Sequence, residues 1–584
     1  MIESTYNRDF FITNNVYSSF SILHSSFFIL NSSFSILHSQ FFIPLILSTK
    51  VIFLYMTKFK VLVCGNLAED GLAVFRAADN VELDVKPELK EDELVACIGP
   101  YHGLVVRSDT KPTAKVIAAA ENLKVIGRAG TGVDNIDVKA ATKRGVVVMN
   151  TPGGNTVTTA EHSFALLMAL ARNIPQGTAS LKAGRWDRKK LMGVELCNKT
   201  IGILGFGKIG SEVASRAIGF GMRPIAYDPY LTKEAANKQG VEQVTLDELF
   251  ARADFITVHT PYTPETANLL NRTAFSKMKR GVRIVNCARG GLIDELALVD
   301  AIKEGIVAGA ALDVFENEPP PADHPLLKLD QVIYTPHLGA STQEAQVSVA
   351  VAIAHQMVDF FRTGAVFGAV NAPSVSAEIL TEVGPYITLG EKLGSFQGQA
   401  FGHNLKRVQI EYSGNVAGFD VRPIAQAILV GLLGPTSDRI NFVNALLIAE
   451  ERGITVTESK QHKSTDFASL ITITAETTDQ ESTIAGALFG QKDLRIVRVN
   501  GFPLEAIPQG NMLLCTNRDL PGVLGRICAR LGEEHINIAR LYLGRKEIGG
   551  KAILLAQVDS ELSDEVITAL NQVPDVLSAR KIQL

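Results

Sequence analysis

A chain of 584 residues is too long for one hydrophobic core and is expected to form three or four domains. With 46% apolar and 20% charged residues and a net charge of −4, it reads as globular, with no excess charge to suggest a nucleic acid or membrane partner. Its six cysteines form no CxxC pair, which excludes a disulfide framework or a structural zinc site and suits a reducing, cytoplasmic setting.

Residues 1–55 differ in composition from the remainder of the chain. "SSFSILHS" occurs twice, at Ser18–Ser25 and Ser32–Ser39, in a Ser/Phe/Ile/Leu-rich tract with few charges. The apolar run from Phe41 to Tyr55 is broken by Pro44, Ser48, Thr49 and Lys50, and is too short to span a bilayer. No basic n-region precedes a compact apolar segment, so a targeting role is not expected. This extension is expected to lie outside the fold, which begins near Met56.

From Lys58 strand-like and helix-like segments alternate, as in an open parallel sheet: "KVLVC", "GLVVRS", "LKVIGRAG" and "GVVVMN" are the first strands. A second alternation opens with "KTIGILGFGKIGSEVASRAIGFG". Here a strand runs directly into Gly205, Gly207 and Gly210, spaced GxGxxG, and then into a helix. That context makes the motif specific for a dinucleotide. Gly205 suits the tight turn, Gly207 the approach of a diphosphate and Gly210 close helix–strand packing. The next strand ends at Asp228, where an acidic residue binds the ribose hydroxyls. A carboxylate about 4 Å from a 2′-phosphate is disfavoured by roughly 4 kcal/mol at an effective dielectric near 20, so the cofactor is expected to be NAD and not NADP.

Further strands end near Thr260, Arg289, Asp313 and Glu318, and "PHLGAST" (His337–Thr342) comes next. Ligands sit at the carboxyl ends of such strands, so these groups are expected to converge. The next helix, with Val347, Val351, Ala354, Val358 and Phe361 at helical spacing, is expected to return the chain to the first sheet. The expected division is therefore 56–152 with 341–371, an inserted 153–340, an α/β domain at 372–508, and a βαββαβ unit at 511–584.

His337 can exchange a proton near neutral pH, Glu318 bonded to it would favour the imidazolium, and Arg289 offers a fork for a carboxylate. Taken singly, Arg289 and His337 are better explained as a structural ion pair and a packed histidine. Together, at strand ends beside a nicotinamide, they suit hydride transfer between NAD and a 2-hydroxy acid.

"RAGTGVDNID", "NTPGGNTVTTAEH", "GILGFGKIGSEVA", "VNCARGGLIDE", "ALDVFENEP" and "TPHLGAST" resemble the D-isomer-specific 2-hydroxyacid dehydrogenases, and within them the long form with an intervening domain and a C-terminal ACT domain. The resemblance runs from about Lys58 to the C-terminus. It implies a flavodoxin-like outer domain with an inserted Rossmann-type domain, then an α/β intervening domain and a ferredoxin-like ACT domain. It also implies NAD-dependent oxidation of 3-phosphoglycerate, the first step of L-serine biosynthesis, by an Arg289, Glu318 and His337 triad. NAD would lie against Thr131, Lys208, Ile209, Asp228, Thr260, Cys287, Arg289, Asp313, His337, Gly339 and Ala340, besides the three loop glycines. Lys208 replaces the family's usual arginine, so its contact is expected to be mainly through the backbone. The substrate would meet Arg107, Ser108, Gly130 and Asn155.

The segment "LKAGRWDRKKLMG", with Trp186, resembles the arm that packs across the family's dimer, so a homodimer or homotetramer is expected. "NRDLPGVLGRI" and "HINIARL" resemble a serine-sensing loop, with Asn517, Asp519 and Asn537 at matching positions and expected to lie near one another. The alternatives are a reductase of glyoxylate, hydroxypyruvate or 2-oxoglutarate, and an NAD-sensing co-repressor or scaffold.

Overall fold

The computed structural model describes residues 58–584, except 375–376, 403, 438, 464–465 and 491. The expectations placed on residues 1–55 lie outside the described residues. No helix among the described residues is long and apolar enough to cross a membrane, and all six cysteines are free.

Strands β1 (Phe59–Cys64), β2 (Val81–Lys86), β3 (Gly103–Val106), β4 (Val125–Arg128) and β5 (Val147–Met149) form a parallel sheet in the order β2-β1-β3-β4-β5. This is the flavodoxin-like order. Alternate residues serve two cores: Val61, Val63, Val105 and Val125 face one side, while Leu62, Cys64, Leu104 and Ile126 face the other. Burial on both faces is why these strands read as continuous apolar runs.

The helix Gln343–Thr363 returns to this sheet as expected, with Ala354, Val358 and Phe361 of the expected stripe buried and the packed face rotated away from its other two positions. Ala345, Val349, Ile353, Ala354, Met357, Val358 and Phe361 are buried, whereas Val347 and Val351 are only half-buried. Spacing alone left two apolar stripes available on this Ala/Val-rich helix. The larger Ile353 and Met357 side chains fill the groove over the sheet, and that sets the rotation.

The second sheet contains β6 (Thr200–Leu204), β7 (Arg223–Tyr227), β8 (Glu242–Gln243), β9 (Phe255–Val258), β10 (Val282–Asn286), β11 (Val307–Leu312) and β12 (Val332–Tyr334). All are parallel, in the order β12-β11-β10-β9-β6-β7-β8. The strand order reverses between β6 and β9, which opens a ligand crevice beyond their carboxyl ends. Arg283, within β10, lies over the Phe255 ring at 5.8 Å, so its stem packs without breaking the core.

A third, mixed sheet contains β13 (Leu405–Gly414), β14 (Thr455–Gln461), β15 (Ser469–Thr477), β16 (Glu481–Phe489), β17 (Asp493–Val499) and β18 (Phe502–Ala506), in the order β14-β13-β15-β16-β17-β18. The last sheet is antiparallel: β19 (Asn511–Arg518), β20 (Ile538–Arg545), β21 (Lys551–Val558) and β22 (Val576–Gln583), in the ferredoxin-like order β20-β21-β19-β22. One of its faces, with Met512, Leu514, Ile553, Leu555 and Ile582, shares a core with Leu393, Phe396 and Phe502 of the preceding segment. The two C-terminal segments are thus joined by burial and not merely by a linker.

Candidate active site

The glycine loop leads directly out of β6. Gly205 has φ +88, and a Cβ there would stand 2.7 Å from the His259 carbonyl oxygen. A Cβ on Gly210 would stand 2.2 Å from the Gly205 carbonyl. Side chains are therefore excluded at both positions. Gly207, in contrast, faces open space where the helix Lys208–Gly219 begins. Asp228, one residue beyond β7, accepts hydrogen bonds from the amides of Phe206 and Tyr230, each at 2.9 Å. These bonds pin its carboxylate beside the loop with lone pairs to spare. At the end of β9 the Thr260 hydroxyl is buried and has no hydrogen-bond partner among the described residues. An open glycine edge at a helix start, a fixed carboxylate and an orphaned hydroxyl in one crevice fit NAD.

Asp228→Ala is expected to weaken NAD binding and relax discrimination against NADP, since the ribose contacts and the repulsion vanish together. Steady-state kinetics with both cofactors check this; an unchanged ratio of kcat/KM values removes Asp228 from the selection of cofactor.

At the far ends of β10 and β11 the polar residues are braced locally. Asn286 accepts from the Ala288 amide and donates to the Arg289 carbonyl, closing the turn that presents Arg289. Arg289 Nε lies 3.1 Å from Asp134, in the loop beyond β4 of the first sheet. Arg107, past the end of β3, donates toward the Asn66 carbonyl and Gln346, and Lys208 reaches the Pro152 carbonyl at 3.3 Å. The carboxyl ends of the two parallel sheets thus face each other across a cleft.

His337 Nδ1 lies 2.7 Å from Glu318, whose other oxygen accepts the Phe315 amide at 3.1 Å. The hydrogen bond to Glu318 holds the His337 pKa above its ordinary value, although burial acts against it. For Glu318, burial opposes ionisation but is outweighed by the bond to His337, so its pKa falls below the ordinary value.

The backbone that carries His337, at φ +54, wraps around the Asp313 carboxylate. That buried group accepts from His162 Nε2 (3.1 Å), the Thr335 hydroxyl (2.5 Å) and the amides of Leu338 (2.7 Å) and Gly339 (2.8 Å). Successive amides closing on a carboxylate form a nest. Gly339 is held from the other side by Thr159, which donates to its carbonyl at 3.0 Å. Ala340 is next in the chain and exposed.

The remaining expected site residues are also located. Thr131 donates to Asn155 at 2.6 Å, Ser108 is exposed beside Asp109, and Ile209 is half-buried. Gly130 accepts from the Thr151 amide at 3.0 Å. Cys287 is buried, and burial pushes its thiol up to about 12, so it packs the site and offers no thiolate. Its sulfur, His162 and Asp313 form a compact trio of potential metal ligands, but the four donors on Asp313 already account for its charge.

His162 and Thr335 were not anticipated. Each stands within a motif read from the sequence, but only the fold shows that its side chain turns toward Asp313.

The expected clustering of Asn517, Asp519 and Asn537 within one chain is not found. β19 and β20 both run antiparallel to β21 and hence parallel to each other. Asn517 and Asp519 lie at the exit of β19, where Asp519 meets Arg545 and the Gly549 amide. Asn537 lies at the entry of β20, bonded to Asp559 at 2.6 Å. A strand's length, on the order of 20 Å, separates them.

This arrangement defines a nicotinamide-dependent oxidoreductase, and residues 164–339 match the NAD binding domain of the D-isomer specific 2-hydroxyacid dehydrogenases. Residues 382–500 match the D-3-phosphoglycerate dehydrogenase intervening domain and residues 511–575 the ACT domain. Over 90% of its length the chain is 43% identical to D-3-phosphoglycerate dehydrogenase of Archaeoglobus fulgidus and 45% identical to that of Methanocaldococcus jannaschii, in each case covering the whole relative. The enzyme of the same name from Bacillus subtilis is 42% identical over an equal span. Among solved structures, a glyoxylate reductase from Paecilomyes thermophila matches 54% of the chain and 99% of its own, at 31% identity and a TM-score of 0.50. The chain belongs to the D-3-phosphoglycerate dehydrogenase family.

Proposed function

We propose that this chain oxidises 3-phospho-D-glycerate to 3-phosphooxypyruvate with NAD and so opens L-serine biosynthesis. The observation that carries this reading is the His337–Glu318 pair at 2.7 Å, set beside Arg289 at the mouth of the NAD crevice.

With Nδ1–H directed at Glu318, neutral His337 presents the Nε2 lone pair to the substrate C2 hydroxyl and takes its proton. Arg289 orients the neighbouring carboxylate. NAD, when bound, supplies the hydride acceptor. Asp313 acts through the 337–339 backbone as a positioning residue. Arg107, Ser108, Gly130 and Asn155 form the substrate wall, and Thr131, Lys208, Ile209, Thr260, Gly339 and Ala340 line the cofactor side. The domains we propose are 56–152 with 341–371, 153–340, 372–508 and 511–584.

The pH dependence tests the pair. In the reductive direction His337 must be protonated, so activity should persist below its raised pKa and fall as pH climbs through it; the oxidative direction should show the opposite limb. Glu318→Gln removes the charge that raises His337 and leaves burial to lower it. Both limbs of the kcat/KM profile should therefore move to lower pH. Limbs that stay in place would exclude the pair as the proton carrier.

Trp186, Met192, Leu181 and Ile174 are 81%, 84%, 60% and 54% exposed, and large apolar side chains left in solvent on one short segment support homodimer formation through the arm. In the C-terminal sheet, the opposite placement of Asn517 with Asp519 and of Asn537 supports an L-serine site completed between two copies. Asp519→Ala is then expected to abolish inhibition by serine. Undiminished inhibition in the variant, measured over a serine titration, argues for an effector site elsewhere.

A further inference from the structure

A second histidine–carboxylate pair lies outside the proposed proton transfer. His324 Nε2 is 2.9 Å from Glu295, and their side chains are only 14% and 11% exposed. Glu295 opens the helix Glu295–Lys303, whose N-terminal end favours a carboxylate. His324 precedes the short helix Pro325–Lys328, and its Nδ1 accepts the Leu326 amide at 3.4 Å. With Nδ1 an acceptor, a neutral ring carries its proton on Nε2, facing Glu295.

The other oxygen of Glu295 accepts the Glu316 amide at 2.8 Å. The same peptide packs against the turn that follows Arg289. A Cβ on Gly290 would stand 1.9 Å from the Phe315 carbonyl oxygen and 2.8 Å from the Glu316 nitrogen. The Phe315 ring meets the His324 ring edge-on, with centroids 6.0 Å apart. The Phe315 amide donates to Glu318 at 3.1 Å, and Glu318 meets His337 at 2.7 Å. One peptide, Phe315–Glu316, therefore touches the Arg289 turn and opens the loop that carries Glu318. Its N–H is fixed by Glu295, and a bond to an ionised acceptor is about twice as strong as a neutral one.

We propose that Glu295 and His324 are positioning residues: they lock the Phe315–Glu316 peptide against the Gly290 turn, and so set Glu318 on His337 with Arg289 beside them. The inference rests on the proposed function, because it names what orients that function's proton carrier. Both residues act through the loop and not on the substrate.

The test compares wild type, Glu295→Ala, Glu295→Gln and Asp294→Ala in the oxidation of 3-phosphoglycerate. Glu295→Ala leaves the Glu316 amide and His324 without their acceptor, and a loosened Glu318 raises the His337 pKa less. Turnover is expected to fall about tenfold or more, with KM for NAD within about threefold. Both limbs of the kcat/KM profile should move to lower pH, as for Glu318→Gln but less far. Glu295→Gln keeps one acceptor oxygen and nearly the same volume, so it should fold and move the limbs part of the way. Asp294 caps the same helix by accepting the Ala297 amide at 2.9 Å. Asp294→Ala should lower the thermal midpoint and leave the limbs in place. Limbs that stay in place in either Glu295 variant, or move as far in Asp294→Ala, would reduce the pair to a stabilising contact and overturn the assignment. If wild type does not turn over 3-phosphoglycerate, the proposed function fails. The His337 titration, followed by NMR in histidine-labelled protein, should even then shift to lower pH in the Glu295 variants, and an unmoved titration overturns the positioning role.

Discussion

Replacing His337 with alanine is expected to cut turnover by about a hundredfold to ten-thousandfold while leaving NAD affinity within a few-fold. The size of the loss is that of general acid–base help. The selectivity comes from how the loop is held. His337 contributes its ring to Glu318, but the amides of Leu338 and Gly339 and the Asp313 carboxylate fix the backbone around it. Removing the ring should therefore delete the proposed proton carrier without releasing the loop. Turnover and cofactor titration on the same preparation check both halves. Near-wild-type turnover in His337→Ala would assign proton transfer to another group.

Asp313→Ala is expected to have the largest structural effect of any single change at the site. It leaves His162, Thr335 and two backbone amides without their shared acceptor in a buried position. Removing one partner from a buried, hydrogen-bonded charge costs about 3–5 kcal/mol. The thermal midpoint should fall, and turnover should drop because the 337–339 backbone is no longer closed around its anion. Asp313→Asn keeps one acceptor oxygen and should fall between the variant and wild type. Unchanged midpoint and turnover in Asp313→Ala would remove Asp313 as the organiser of the loop.

Much of this site was legible in the sequence because its signals are local. Gly205, Gly207 and Gly210 are spaced by one turn and one helix start. Asp228, Arg289 and His337 each fall just beyond an apolar strand, and parallel strands deliver their carboxyl ends to one edge. Other features depend on packing between distant segments. His162 lies on a helix face and Thr335 just beyond a strand, and both fall inside motifs visible in the sequence. Whether such a side chain meets a carboxylate, or nothing, is decided by elements far away in sequence. The rotation of the helix Gln343–Thr363 was ambiguous for a related reason, since its small apolar residues offer two stripes. The serine expectation failed in one chain on strand direction: two strands flanking β21 must run the same way, so an exit and an entry cannot be neighbours.

The reaction expected of this chain is NAD-dependent oxidation of a phosphorylated D-2-hydroxy acid. Its most direct test is NADH formation with 3-phosphoglycerate, measured beside D-glycerate and the reduction of glyoxylate and hydroxypyruvate. The highest kcat/KM is expected for 3-phosphoglycerate with NAD; a preference for glyoxylate or hydroxypyruvate, or no turnover of 3-phosphoglycerate, would contradict it.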